Sequence, residues 1–189
     1  MTRWFWSDLH LGHEKMYKLP FPAADNSSKP MRPFSCADEA DEYMVDQYNK
    51  LVEHGDKVYF LGDVVINKKK LPFLERMTKG HKYLIAGNHD VQAPIEEYSK
   101  YFNKIYGVLY MKDIRSILTH VPVHPSYVAD CDFNRFSYNI HGHSHDYEMK
   151  LMSGPNTRLS SYDSRYINVC VEKTGFRPLH EEELKARML

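Results

Sequence analysis

The sequence predicts an α/β fold, with a parallel sheet in its first half and a β-rich second half. Three observations carry this. Short apolar runs bounded by turn residues recur along the chain, helical spacings lie between the early ones, and two later runs are separated only by Lys112-Asp113, as in an antiparallel hairpin. The runs read as strands are RWFWS (3–7), KVYFLG (57–62), KYLIAG (82–87), SILT (116–119), YNIHG (138–142) and YINVCVE (166–172). Ser35 with Asp38 three residues on resembles a capping signal. Ala40, Met44, Tyr48 and Leu51 then form an apolar stripe that stops at Gly55, the spacing of a helix. Further helices are expected over about 69–78, about 94–102 and the closing HEEELKARML. Strand alternating with helix from residue 3 to 87 implies βαβ units. The hairpin pairs IYGVLYM with IRSILTH. Segments 18–34, rich in proline, and 121–137 read as long irregular loops.

At 189 residues the chain is expected to be a single domain over 1–189, and 42% hydrophobic with 26% charged residues is ordinary globular composition. Lys plus Arg and Asp plus Glu are 25 each, so no bulk positive field exists to hold long nucleic acid. The three cysteines, Cys36, Cys131 and Cys170, are odd in number and form no CxxC pair, which points to a reducing compartment; cytoplasmic location is expected. No apolar run approaches the ~20 residues of a membrane span.

The chemistry sits where strands stop. RWFWS runs into Asp8 and His10, KVYFLG into Asp63, KYLIAG into Asn88-His89-Asp90, SILT into His120, and YNIHG into His143 and His145. In an open α/β sheet the carboxyl ends share the edge where ligands bind. Carboxylate, imidazole and amide oxygen without thiolate suit a hard or borderline divalent metal. Asp8, His10, Asp63, Asn88, His120, His143 and His145 exceed what one ion needs, and two ions sharing a carboxylate would use them all. Ion pairs ~3.5–4 Å apart acidify water and clamp both oxygens of a displacement at phosphorus. His89, surplus to that set, is placed as the acid for a leaving alkoxide, with Asp90 to orient it.

Asp8-x-His10, Gly62-Asp63, Gly87-Asn88-His89-Asp90, the lone His120 and Gly142-His143-x-His145 resemble the five blocks of the calcineurin-like metallophosphoesterase superfamily, in order. The match is closest to its small single-domain phage and bacterial members, and spans about residues 3–172. The resemblance implies a four-layer α/β/β/α sandwich of two mixed sheets flanked by helices. It implies one ion on Asp8, His10 and His145, another on Asn88, His120 and His143, and Asp63 between them. The ions would be two per chain, Mn foremost, with Zn, Fe, Ni and Co as alternatives. The implied activity is hydrolysis of a phosphate ester, a small phosphodiester or cyclic nucleotide foremost, by attack of a metal-bridging hydroxide. A nuclease acting on DNA or RNA ends, or a silent scaffold of the same fold, are the alternatives. The chain departs from the family after His120, where Val121-Pro122-Val123-His124 replaces the tyrosine and proline often found there.

Other residues have weaker claims. Arg32 either reaches a substrate phosphate or tethers its loop; His13 and His124 are further candidates for substrate contact. His141 alternates with His143 and His145 and is read as an inward neighbour, not a ligand. Lys68-Lys69-Lys70 reads as the solvated start of a helix. Tyr17, Phe34, Tyr127, Phe133 and Phe136 either staple the long loops or stack on a base. Leu179, Leu184 and Met188 serve a homo-oligomer interface or pack on the body.

Overall fold

The computed structural model describes residues 1–18, 30–92, 94–128, 135–150 and 162–188. Chain order is β1 (Arg3–Trp6), α1 (Lys15–Lys18), α2 (Ala37–Leu51), β2 (Lys57–Phe60), α3 (Phe73–Arg76), β3 (His81–Ile85), α4 (Ile95–Tyr98), β4 (Lys104–Tyr106), β5 (Leu109–Met111), β6 (Ser116–Leu118), β7 (Tyr138–His141), β8 (Tyr166–Asn168), α5 (Val171–Thr174), β9 (Leu179–His180) and α6 (Glu181–Ala186). The strands form two mixed sheets. One has the order β4-β3-β2-β1-β9, parallel except for β9; the other has the order β5-β6-β7-β8, parallel except for β5.

Side-chain alternation along the first sheet makes two cores. Trp4, Trp6, Val58, Phe60 and Leu84 face Ala40, Met44, Val45 and Tyr48 of α2, with Leu74 and Met77. Phe5, Tyr59, Leu61 and Ile85 point the other way and pack on Met111, Leu118, Ile140 and Ile167 of the second sheet. Each fully buried side chain of this size contributes about 1.5–3 kcal/mol. Leu179 and Leu184 are buried in the core between the sheets and Met188 packs against it, so this apolar set serves the body.

Several expectations need correction. The strand read through Glu172 ends at Asn168, whose Oδ1 accepts from Cys170 N at 2.9 Å and turns the chain into α5. The hairpin run divides: β4 pairs in parallel with β3 in the first sheet, and only β5 pairs with β6. The helix over 69–78 is a 3-10 turn (Lys68–Lys70) followed by α3, broken where Pro72 lacks an N–H to continue the first turn. The N-cap of α2 is Cys36; Glu39, not Asp38, reaches back to Ser35 N at 2.8 Å. α4 spans only Ile95–Tyr98 of the helix expected there, and α6 spans Glu181–Ala186.

On the outer face of the second sheet the described residues are mostly loop. Among the described residues it carries Val123, Val128, Phe136 and Met149 over Ile117 and Tyr166, with the 3-10 turn Pro125–Tyr127 as its only helical element. Tyr17 and Phe34 pack on the helical core, and Phe136 stacks on Tyr110 with ring centroids 4.7 Å apart, so these loop aromatics staple. Tyr127 is exposed. Most of the proline-rich loop, Cys131 and Phe133 lie outside the described residues. Among the described residues no helix is long and apolar enough to cross a membrane.

Candidate metal centre

Backbone bonds tie the carboxyl end of β1 to that of β2, and the end of β6 to that of β7. Asp8 N donates to Gly62 O, His10 N to Asp63 O and Gly142 N to His120 O, each at 3.0 Å. Such close approach excludes side chains at three positions, Gly62 (against His120 Nδ1 and the Gly87 backbone), Gly87 and Gly142. A Cβ on Gly87 would collide with Asp63, and one on Gly142 would collide with Ser7 Oγ and Asp8 Oδ2. The turns are strained. Among the described residues the non-glycine positions with positive φ are Asp8 (59°), His10 (54°), Asp63 (52°), His143 (67°), His145 (50°), Arg115 and Phe176, so most are candidate ligands. Left-handed backbone at ordinary residues persists only where surrounding structure enforces it, and it gathers at functional sites.

Two donor triads result: Asp8, His10 and His145, and Asp63, His120 and His143. Within each, one donor atom per residue lies within 4.8 Å of the others. Asp8 Oδ2 accepts from Ser7 Oγ at 2.6 Å, His143 N at 2.8 Å and Cys170 Sγ at 3.2 Å. Its buried Oδ1 has no hydrogen-bond partner, and it faces His10 Nε2 at 3.5 Å and His145 Nε2 at 4.0 Å. His10 Nε2 is likewise buried without a partner. Asp63 Oδ1 accepts from His89 N at 2.8 Å, while Oδ2 lies 3.3 Å from His120 Nε2, 3.6 Å from His10 Nε2 and 3.8 Å from His89 Nε2. Asn88 Oδ1 is 3.0 Å from His120 Nε2, completing the predicted seven.

These distances fit divalent cations. Ligand bonds of ~2.0–2.2 Å place neighbouring donor atoms roughly 3–4 Å apart, and buried acceptors aimed at one another are costly without positive charge between them. The electrostatics agree. Burial works to raise Asp8, but His10 and the charges of His120 and His145 hold its carboxyl well below the usual range. Burial lowers His120, yet the bond it donates to Asp63 and the charges of Asp8 and Asp63 bring it up to about 9. His120 Nδ1 bonds Leu61 O at 2.7 Å, which leaves Nε2 to the centre.

Other predicted residues fall differently. Asp90 does not orient His89. Its buried carboxylate accepts from the N–H groups of Asp63 (2.7 Å), Val64 (3.0 Å) and Gly87 (2.9 Å), so it ties two ligand loops together. Arg32 does not face substrate. Its buried guanidinium donates to Asp8 O at 2.6 Å, Leu9 O at 2.9 Å and Glu172 Oε1 at 2.8 Å, holding the first ligand loop. His124 caps the 3-10 turn Pro125–Tyr127, accepting from Ser126 N at 3.3 Å. His13 lies against His10, with Nδ1 atoms 3.3 Å apart, and burial and neighbouring charge bring it down to about 4. His141 bonds Gly142 O at 2.8 Å and is buried inward as expected. His89 remains at the rim, its side chain 38% exposed.

Sequence reasoning passed over Glu172, whose side chain is buried after β8. Its Oε1 also accepts from His145 Nδ1 at 3.1 Å. It stands within an apparent strand run, and only its place as a carboxylate in that apolar run marks it. Ser7 and Cys170, which hold Asp8, were also missed.

No family model matches the chain. It is 28% identical over 176 residues to the uncharacterized protein MJ1445 of Methanocaldococcus jannaschii, covering 92% of this chain and 83% of that one. The crystal structure of AQ665, a protein of unknown function from Aquifex aeolicus, is similar with a TM-score of 0.67 and 23% identity over 98% of both chains, a likeness in fold.

Proposed function

We propose that this chain is a phosphoesterase working with two divalent cations, Mn foremost, on a small phosphodiester or cyclic nucleotide. The observation that carries this is Asp63: one carboxylate oxygen stands 3.6 Å from His10 Nε2 of one triad and 3.3 Å from His120 Nε2 of the other. That is the arrangement of a shared ligand. Asp8, His10 and His145 would hold one cation, and His120, His143 and Asn88 the second. When bound, such a pair supplies acidified water and a positive field for the phosphoryl oxygens.

The chain's own residues supply the rest. Two carboxylates against two divalent cations leave a net positive centre, which favours an anionic ester. Asp63 is oriented by His89 N, and His89 carries at its rim-facing ring the proton for the leaving oxygen. Balanced net charge favours a small substrate over long nucleic acid. The two facing mixed sheets agree with a metallophosphoesterase sandwich, and the free Cys36 and Cys170 with a cytoplasmic enzyme.

Metal content and hydrolysis of a p-nitrophenyl phosphodiester test the reading together. Wild type supplied with Mn is expected to bind two equivalents and turn over, and Asp63→Asn to lose both properties. Wild type that binds no metal, or that binds two equivalents and hydrolyses neither diesters nor monoesters, overturns it.

A further inference from the structure

Beside the metal centre lies a cavity of about 170 Å³ lined by Val65, Ile66, Lys68, His89, Gln92 and Tyr98. It is built, not incidental. Ile66 N and Asn67 N both donate to Leu11 O, at 3.1 and 3.2 Å, so one wall is tied to the loop that carries His10. Tyr98 Oη reaches Val65 O at 3.5 Å, and Gln92 Nε2 reaches Asn88 O at 3.3 Å. Asn67 caps the 3-10 turn, accepting from Lys69 N at 3.1 Å, and this sets where Lys68 starts.

The lysine run therefore divides its work. Lys70 is committed to Asp38 at 2.6 Å and Asp41 at 3.2 Å, over the ring of Phe73. Lys68 lines the cavity, and among the described residues no carboxylate pairs with it. A cation without a partner beside His89 complements negative charge on whatever enters.

We infer that this cavity receives the leaving group, and that Lys68 selects a small alcohol carrying its own anionic group, a carboxylate or a phosphate. This rests on the phosphoesterase reading and on His89 as leaving-group acid. The proton goes from His89 to the ester oxygen as its bond to phosphorus breaks, so the departing alcohol stands against His89 and the cavity behind it. Drug-sized ligands fill roughly 300–1,000 Å³, so this space suits a group of sugar-ring size, and of the two substrates proposed above it favours the small phosphodiester over the cyclic nucleotide, whose leaving oxygen belongs to a whole nucleoside. Val65 and Ile66 supply an apolar floor, Gln92 and Lys68 the polar end.

The test compares methyl phosphodiesters, and the corresponding monoesters, whose leaving groups are phenol, 4-hydroxybenzoate or 4-hydroxyphenylphosphonate. Wild type is expected to favour the anionic esters about tenfold in kcat/KM, the scale of one bond to a charged group. Lys68→Gln should abolish the preference by loss on the anionic esters alone, and Lys68→Arg should restore it. The larger of the two anionic preferences identifies carboxylate or phosphate. Independently of turnover, 4-hydroxybenzoate should shift the His89 ring signals in NMR spectra of wild type and not of Lys68→Gln. Turnover without preference, equal loss on all esters in Lys68→Gln, or 4-hydroxybenzoate leaving His89 unmoved in wild type overturns the inference and leaves the phosphoesterase reading standing. Failure of metal binding instead sinks the reading beneath it.

Discussion

Glu172 Oε1 accepts from His145 Nδ1 at 3.1 Å and from Arg32 Nε at 2.8 Å, so one carboxylate with a buried side chain joins a candidate ligand to the arginine that holds the Asp8 loop. A proton fixed on His145 Nδ1 leaves Nε2 to face Asp8 Oδ1, and a carboxylate behind an imidazole raises its basicity as a ligand. The same contact balances the Arg32 guanidinium, which would otherwise be a lone buried charge.

Glu172→Gln is therefore expected to weaken metal at the Asp8, His10 and His145 triad by about 10–100-fold. The other triad should keep its ion. Titration by isothermal calorimetry reads two sites in wild type and one strong site in the variant. Equal weakening of both sites would count against a role specific to His145. Thermal melting, run alongside, separates this from general loss of structure.

His89→Ala should lower kcat by about 10²–10⁴-fold on esters with poor leaving groups, with both metal equivalents retained. Esters of p-nitrophenol, which leave without help from an acid, should lose far less. A uniform loss across leaving groups would show that the ring serves something other than proton delivery.

Gly142→Ala places a Cβ against Ser7 Oγ and Asp8 Oδ2, inside the distances real Cβ atoms keep. Because the neighbour is a buried carboxylate with three donors on one oxygen, it has little room to move. The variant is expected to lose about 1–3 kcal/mol of stability, in line with overpacking, and to bind metal more weakly at the Asp8 triad. Chemical denaturation and metal titration measure the two effects, and a variant with wild-type values in both refutes the close approach.

Away from the centre, Glu181 accepts from Arg3 Nε at 2.8 Å and lies 3.0 Å from Lys185 Nζ. The bond from Arg3, against the opposing effect of burial, brings its carboxyl down from 4.5 to about 2. A carboxyl held lower in the folded than in the unfolded chain stabilises above its ordinary value and loses that contribution as pH falls towards the folded value. Wild type should thus exceed Glu181→Gln in stability above pH 4.5, with the difference shrinking between pH 4.5 and about 2. Urea unfolding at stepped pH measures it; a constant difference would contradict the pairing.

The candidate site was legible because strands end where the apolar run ends, and each end left a polar residue in plain view. Asp8, Asp63, Asn88, His120 and His143 could be named before any fold was known. Asp90 could not be assigned correctly and Arg32 stayed undecided between substrate and tether, since both do their work on backbone groups of distant segments: Asp90 on Gly87, Val64 and Asp63 N–H, Arg32 on Asp8 and Leu9 carbonyls. Sequence carries side-chain identity but not which backbone groups lack a partner. The break after Ile105-Tyr106 was equally hidden, because β4 and β5 share one apolar run and differ only in which sheet receives them.

Read by itself, the amino-acid order determined the alternation of strand and helix to residue 87, the buried stripe of α2, and the set of oxygen and nitrogen donors at the strand ends. Local periodicity and residue chemistry suffice for these. Only the tertiary structure decided that Asp63 stands between His10 and His120, that Glu172 backs His145, and that Lys68 rather than Lys70 opens on the cavity beside His89. Each depends on segments far apart in the chain meeting at a strained edge, and the physical reason is packing: the two sheets must bury Phe5, Tyr59, Leu118 and Ile140 against each other before those loops have a shared place to meet.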